Sequence, residues 1–244
     1  MTAQSILRSS VRWSSAGVGL AATTYAGYVA WTWSRYGHPS RSHGHVQDEL
    51  LDRFMPVYDV VERHHIAVDA PAPLTLSVAR EIDLSNSPII RAVFKGRELI
   101  LRATPDAQPR PRRLLAQVQS LGWVVLAEIA DREVVVGAVT KPWEANVTFR
   151  SIASADFAPF NEPDYVKIVW TLRADATDGS SSVFRTETRA VATDAEARSK
   201  FRPYWAFLSP GIFLIRQMML RPVKTEAERQ AYLDMGPSDG DGVS

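Results

Sequence analysis

The chain has 244 residues, with 28 lysines and arginines against 27 aspartates and glutamates, and it contains no cysteine. Its hydrophobic content of 45% is typical of a globular protein, and its length suits one domain beyond a short N-terminal segment. The net charge of +1 gives no bias toward nucleic acid, so no nucleic-acid partner is expected. The lack of cysteine excludes disulfides, thiolate catalysis and cysteine-ligated zinc.

The N-terminal segment from Ser14 to Ser34 contains no charged side chain. A helix of this length rises about 30 Å, which is the thickness of a bilayer's hydrocarbon core. Aromatic residues lie near both ends, as interfacial anchors do, and small residues recur at every fourth position. The sequence therefore predicts a single transmembrane helix over residues 14–34. Its small residues allow, as an option, a homodimer formed through this helix.

Two alternatives to a membrane span stay open. Arg8 and Arg12 precede the apolar stretch, and Thr24-Tyr25-Ala26 resembles a cleavage site, as in a secretory signal peptide. The other alternative is a soluble or interfacial helix. Because arginines flank the segment on both sides, the sequence does not define the side of the membrane on which the folded domain lies.

A polar linker is predicted at residues 35–55, and a disordered tail rich in glycine, aspartate and serine at residues 236–244. The linker contains His38, His43 and His45, but no second group of ligands with suitable spacing lies nearby. We therefore expect no metal site there. The folded domain lies between, at residues 56–232.

The first half of the domain is predicted to contain one strand and several short helices. Val57 to Val68 is an extended run, and the prolines at Pro71 and Ser87-Pro88 are typical of helix starts. The segment from Pro105 to Pro111 ends the second helix, and Leu114 to Leu121 forms another short helix.

Extended stretches follow at Trp123–Ile129, Glu133–Thr140, Trp143–Phe149, Tyr165–Ala174 and Ser182–Ala192. The last two alternate cleanly, with residues such as Trp170 and Phe184 on one face and charged residues on the other. We interpret the first face as the wall of a core or cavity. The second face is predicted to be a solvated row of charges comprising Lys167, Arg173, Arg185, Glu187 and Arg189.

A capping box, Thr193-Asp194-Ala195-Glu196, is predicted to start a long C-terminal helix with Thr193 as the cap. Proline lacks a backbone donor and crowds the preceding turn, so Pro210-Gly211 should kink or break this helix. The helix is expected to resume at Ile212 and to fade out past Glu228.

The segments VYDVVERHHIAV and DAPAPLTLSVAREI resemble the first strand and helix of the START/Bet v1-like (SRPBCC) superfamily. The segment SSVFRTETRAVATDAEARSKFRPYW resembles its last strand and gripping helix. The resemblance spans Val57 to Tyr232 and is nearest to uncharacterised bacterial members with an N-terminal apolar segment. It implies an α+β helix-grip fold, in which a curved antiparallel sheet wraps around the C-terminal helix and leaves an apolar cavity between them.

In that fold the cavity should be lined from the sheet by Trp170, Phe184, Thr186 and Thr188, from the helix by Trp205 and Phe213, and closed at one end by Trp143. The alternative is that these side chains fill the hydrophobic core and line no cavity. Together with the predicted transmembrane helix, the resemblance implies a membrane-anchored binding or transfer module for a lipid or other apolar small molecule. A cyclase- or hydrolase-type enzyme using the same cavity and a non-catalytic interaction protein are the alternatives.

No catalytic residue, cofactor or metal ligand is predicted. His64 and His65 are adjacent on a strand and point to opposite faces, so they cannot share a metal. We expect the inward one to be a hydrogen-bonded core histidine rather than a general base. The chain has no Gly-rich phosphate loop, serine-hydrolase elbow or zinc-protease motif.

The region from Arg91 to Arg113 contains seven basic and two acidic residues. In a helix-grip fold this region should border the cavity mouth. Each basic residue near anionic lipid contributes about 1 kcal/mol, so Arg110, Arg112 and Arg113 are predicted to face the membrane surface. The alternative is an ordinary solvated helix face and loop.

Overall fold

The computed structural model describes residues 23–38, 47–84, 87–104 and 111–234. The helices in these ranges are α1 (residues 23–35), α2 (Glu49–Asp52), α3 (Ala72–Glu81), α4 (Pro88–Leu101), α5 (Leu114–Ser120), α6 (Ser154–Phe157) and α7 (Ala195–Asp234). The strands are β1 (Val60–Val68), β2 (Val124–Ile129), β3 (Glu133–Thr140), β4 (Phe149–Arg150), β5 (Val166–Ala176) and β6 (Ser182–Ala192).

The strands form one antiparallel sheet with the order β1-β6-β5-β3-β2, and the short β4 pairs with β3. The first strand thus lies at an edge and pairs with the last strand, which leads directly into α7. This α+β arrangement fits the helix-grip plan and confirms that part of the predicted fold. The predicted strand Trp143–Phe149 is instead mostly turn and loop, and pairing begins at Phe149.

One face of the sheet, the inner face, packs against α3 and α7. Its apolar residues alternate along β3, β5 and β6 as the period of a strand requires. Trp170 and Phe184 are fully buried there against Met219 and Val223 of α7 and Leu76 of α3. This layer is the main hydrophobic core.

The opposite face, the outer face, is covered as well, so the predicted solvated row of charges is wrong. Lys167, Arg173, Glu187 and Arg189 are between 2% and 8% exposed, and Arg185 is half-buried. A second core covers part of this face, in which Leu51, Met55 and Phe157 pack on Val135 and Val169. Alternation distinguishes two faces but does not show whether another segment packs on the charged one.

The C-terminal helix α7 is continuous, so of the predicted kink or break at Pro210-Gly211 the break is wrong. It contains Pro203, Pro210 and Pro222 and ends at Asp234. A proline inside a helix costs about 3 kcal/mol, which tertiary packing must offset. Helix α4 packs tightly here, since a Cβ on Gly211 would lie 2.8 Å from Val93 Cγ1.

The cap of α7 also differs from the predicted capping box. The carboxylate of Asp194 accepts a hydrogen bond of 2.7 Å from the backbone N–H of Ala197, as an N-cap residue does. Thr193 instead exchanges hydrogen bonds with the backbone of Tyr165. Glu196 forms an ion pair with Lys200 one turn further along.

Helix α1 contains the described part of the predicted membrane segment, and residues 14–22 lie outside the described ranges. It packs on α7, where the Tyr25 hydroxyl donates to the Phe207 carbonyl at 2.6 Å and the Tyr28 and Ser209 hydroxyls lie 3.1 Å apart. Within the described part of the chain, no helix is both long enough and apolar enough to span a bilayer.

Candidate functional site

Five polar side chains lie between the sheet and α7: Glu62, His64, Thr186, Thr188 and Arg216. We call them the inner-face polar cluster. In the pairing of β1 with β6, Glu62 lies opposite Thr188, and His64 lies opposite Thr186. Because directly opposite residues share one face, these four point to the layer that α7 covers, and α7 contributes Arg216.

Three polar atoms of this cluster are buried without a hydrogen-bond partner among the described residues: His64 Nε2, Thr186 Oγ1 and Thr188 Oγ1. Buried polar atoms in proteins are nearly always paired, because an unsatisfied donor or acceptor costs about 1–3 kcal/mol. Three such atoms on neighbouring positions therefore mark a place where a polar group of a ligand would be stabilised.

Arg216 lies over the indole of Trp170, with its Cζ 4.4 Å from the ring centroid. Burial lowers the pKa of this guanidinium to about 10, so it remains charged at neutral pH. No carboxylate of a described residue forms an ion pair with it. The face of Trp170 is the partner that the structure records for this cation, and a cation–π contact of this kind is attractive.

His64 and Glu62 differ in charge state from exposed groups. Burial, with smaller contributions from Arg216 and His65, lowers the pKa of His64, so its imidazole is neutral at pH 7. Burial raises the pKa of Glu62 to about 7. The His64 Nε2 and Glu62 Oε2 atoms are 4.0 Å apart, and the His64 ring contacts Phe213 edge-on at 4.9 Å between centroids.

The predicted cavity residues divide into two groups. Trp170, Phe184, Thr186 and Thr188 lie on the inner face, and Phe213 of α7 reaches the same region through its contact with His64. Trp143 and Trp205 lie elsewhere. They belong to a third core around Phe201 and Tyr36, towards the N-terminal end of α7.

Sequence reasoning missed Glu62 and Arg216 as members of the site. Two signals point to them in retrospect. Glu62 lies two residues from His64 on one strand and therefore on the same face. Arg216 interrupts the apolar stretch FLIRQMML of the C-terminal helix.

The outer face holds a network of buried ion pairs. Glu187 binds Arg63 at 3.0 Å and Arg189 at 2.7 Å, and Arg189 continues to Asp52 at 2.5 Å. A cavity of about 40 Å³, which has room for a few water molecules, adjoins this network. It is lined by Asp48, His64, His65, Thr171, Arg173, Arg185, Thr186 and Glu187. Its size and its paired charges suit a structural role rather than a ligand site.

Glu133 lies at the end of this outer-face network beside Asp48. Both carboxyl groups are buried, and Asp48 also caps α2 by accepting from Leu51 N at 2.8 Å. Burial and the Asp48 carboxylate raise the pKa of Glu133 to about 8, although Arg173 opposes the shift. Glu133 is therefore protonated at neutral pH.

The structure describes two of the three arginines that were predicted to face the membrane surface. Arg112 and Arg113 are exposed, and Arg110 lies outside the described residues. Arg113 Nη1 is 2.9 Å from Glu81 Oε1, so its charge is partly neutralised by an exposed ion pair.

No protein-family model and no curated protein matches the chain. Among the solved structures similar to it, the hypothetical protein jhp0584 from Helicobacter pylori is 8% identical with a TM-score of 0.38, over 77% of this chain and 99% of that one. Norcoclaurine synthase from Thalictrum flavum is 11% identical with a TM-score of 0.32, over 70% and 95%. The Zhui aromatase/cyclase from Streptomyces sp. R1128 is 15% identical with a TM-score of 0.22, over 74% and 98%. The helix-grip plan is supported by the chain's own sheet order and by the long helix that follows its last strand.

Proposed function

We propose that the protein binds an apolar small molecule between the inner face of the sheet and α7, with the molecule's polar end at the inner-face polar cluster. The observation that carries this proposal is the set of three buried, unpartnered polar atoms within an apolar layer. Small-molecule sites in proteins combine mostly apolar walls with a few convergent polar groups, and this arrangement has both.

Fluorescence titration with N-phenyl-1-naphthylamine, a neutral apolar probe, tests the proposal. We expect saturable binding of the probe and its displacement by 1-decanol, whose hydroxyl can pair with the threonines. Replacing both Thr186 and Thr188 by valine should weaken displacement by 1-decanol. Thr171→Val, which alters a buried threonine on the outer face, is the matched control and should leave it unchanged. Probe fluorescence that does not saturate with increasing probe concentration would contradict the proposal.

Acid–base catalysis in the same place is a second candidate function. It is favoured by the pairing of a neutral imidazole, His64, with Glu62, whose carboxyl has a pKa raised to about 7 by burial. Groups with pKa values near the working pH are the efficient proton donors and acceptors. Ring closure of a linear poly-β-ketone should then require both residues. We expect His64→Gln to abolish turnover and His65→Gln, on the opposite face, to retain it.

We also propose that this binding module is located at a membrane. It is supported by the uncharged segment from Ser14 to Ser34 and by the exposed indoles of Trp31 and Trp33 on α1. Tryptophan is enriched where protein meets the headgroup region of a bilayer. A ligand drawn from lipid would then have a short path to α7, on which α1 packs.

A further inference from the structure

We infer that the polar end of the ligand is an anion, such as a carboxylate, and that Arg216 holds it. This inference rests on the proposed function and adds the chemical class of the ligand. It starts from the charge balance of the inner-face polar cluster. Arg216 is half-buried, and a cation partly removed from water is destabilised unless an anion compensates it. Among the described residues, no carboxylate forms an ion pair with Arg216.

Glu62 does not supply the missing negative charge. Its side chain lies beside His64, with 4.0 Å between Glu62 Oε2 and His64 Nε2. Burial raises the pKa of Glu62 to about 7, so at pH 6 its carboxyl group is mostly protonated and carries little negative charge that could neutralise Arg216.

The other members of the cluster favour an anion as well. Thr186 and Thr188 offer hydroxyl donors, and a neutral imidazole at His64 offers one N–H. Glu62 in its protonated form, which predominates below pH 7, offers an O–H. The cluster is thus rich in donors, and a carboxylate, which accepts through both oxygens, matches it better than an alcohol or an ester.

The packing of Arg216 prepares it for this role. Its guanidinium lies over Trp170, which is 2% exposed and is held from the side by Trp123 at 6.3 Å between ring centroids. An arginine held against an aromatic face in this way can still form two parallel hydrogen bonds through its N–H groups. Such bidentate pairs are the geometry in which arginine recognises carboxylates.

The cluster is also reachable from solvent. Strand β1, which carries Glu62 and His64, is the edge strand of the sheet. The Glu62 side chain is 22% exposed and Phe213 is 40% exposed. The cluster therefore borders solvent at the edge where β1 meets α7, beside Phe213.

Displacement of N-phenyl-1-naphthylamine by decanoate and by 1-decanol, two probes of equal chain length, tests the inference. At about pH 6 decanoate is ionised, and Glu62 is mostly protonated. We expect decanoate to bind about 10-fold or more tightly than 1-decanol to the wild-type chain. Arg216→Met should lower the affinity for decanoate about 10-fold or more relative to that for 1-decanol and so remove this preference, whereas Arg216→Lys should retain part of it.

Arg221→Met is the matched control, because Arg221 is an exposed arginine of the same helix. It should keep the full preference for decanoate. Equal affinities for the two probes in the wild-type chain, or an unchanged preference in Arg216→Met, would overturn the anionic ligand and leave the proposed function standing. If neither decanoate nor 1-decanol displaces the naphthylamine, the proposed function fails and this inference fails with it.

Discussion

At the scale of single residues, the inner-face polar cluster, our proposed ligand site, lowers the stability of the empty protein. The hydroxyls of Thr186 and Thr188 are buried without a partner among the described residues, so each lowers the free energy of unfolding. Natural binding sites commonly retain such unfavourable groups, because the ligand and not the fold satisfies them. This view predicts that removing the groups stabilises the empty protein.

Thr186→Val and Thr188→Val should therefore each raise the free energy of unfolding in the absence of ligand, by about 1 kcal/mol. Urea denaturation monitored by circular dichroism measures this change. The control is Thr140→Val, because the buried Thr140 hydroxyl donates to the Thr148 carbonyl at 2.9 Å. That variant should lose about 1 kcal/mol. Equal losses in all three variants would show that the inner-face hydroxyls are satisfied in the folded protein.

The ionisation of Glu62 predicts how binding of an anion depends on pH. Burial raises the pKa of Glu62 to about 7, so the side chain is mostly neutral at pH 6 and mostly charged at pH 8. A negative charge on Glu62 repels a bound carboxylate, so the affinity for decanoate should fall as the pH rises through 7. Glu62→Gln should remove this fall, and displacement titrations at several pH values measure it. An affinity for decanoate that rises with pH in the wild-type chain would contradict this role.

The raised pKa of Glu133 predicts that the stability of the folded protein depends on pH. Its folded-state pKa of about 8 lies above the value of about 4.3 expected in the unfolded chain. Between these values the folded state holds a proton that the unfolded state has lost, so stability is highest below about pH 4.3 and falls as the pH rises through 8. Glu133→Gln should reduce this fall and raise the free energy of unfolding at pH 8 by about 2 kcal/mol or more.

Urea titrations at pH 6 and pH 8 measure the stability effect of Glu133. Glu49→Gln is the control, because Glu49 is an exposed residue of α2 close to the same network. It should leave the pH dependence of stability unchanged. A Glu133→Gln protein with the same loss of stability between the two pH values as the wild type would rule out Glu133 as its source.

At the scale of elements, α7 depends on its neighbours for its continuity. Three prolines lie inside it, so its backbone lacks three donors, and α1 and α4 pack on it near Pro210. The close approach of α4 requires glycine at position 211, since a Cβ would lie 2.8 Å from a methyl group of Val93. Valine is branched at Cβ and has little freedom to move aside.

Gly211→Ala should therefore lower the free energy of unfolding by about 1–3 kcal/mol, because overpacking outweighs the gain in helix propensity. Gly96→Ala on α4 is the matched control. A Cβ at Gly96 would meet nothing within 4 Å, so that variant should be stabilised by about 0.5–1 kcal/mol. Thermal and urea denaturation measure the change in stability of both variants. A stabilised Gly211→Ala protein would show that α4 and α7 separate easily.

At the scale of the whole molecule, membrane attachment stays a prediction of the sequence. The full-length chain should remain with membranes after carbonate washing, because the uncharged segment from Ser14 to Ser34 is long enough to enter a bilayer. A chain lacking residues 1–22 retains α1 and its contacts with α7, and it should be released. Release of the full-length chain would contradict the prediction.

The sequence predicted about half of the candidate site. Period-two alternation placed Trp170, Phe184, Thr186 and Thr188 on one face, because alternation is a local property of a strand. It did not single out Arg216, since an arginine in a helix is ordinarily solvated and only the position of the sheet shows that this one is half-buried against Trp170.

The sequence by itself determined the α+β plan, most strand positions and the long final helix, because alternation, turn residues and element order are encoded locally. The tertiary structure decided which charges are buried. Arg189 is buried because Asp52 and Met55, over 130 positions away, pack on it. It also decided that α7 crosses Pro210 unbroken. Burial and the cost of a proline both depend on which distant segments pack on an element, and the local pattern of residues does not contain that information.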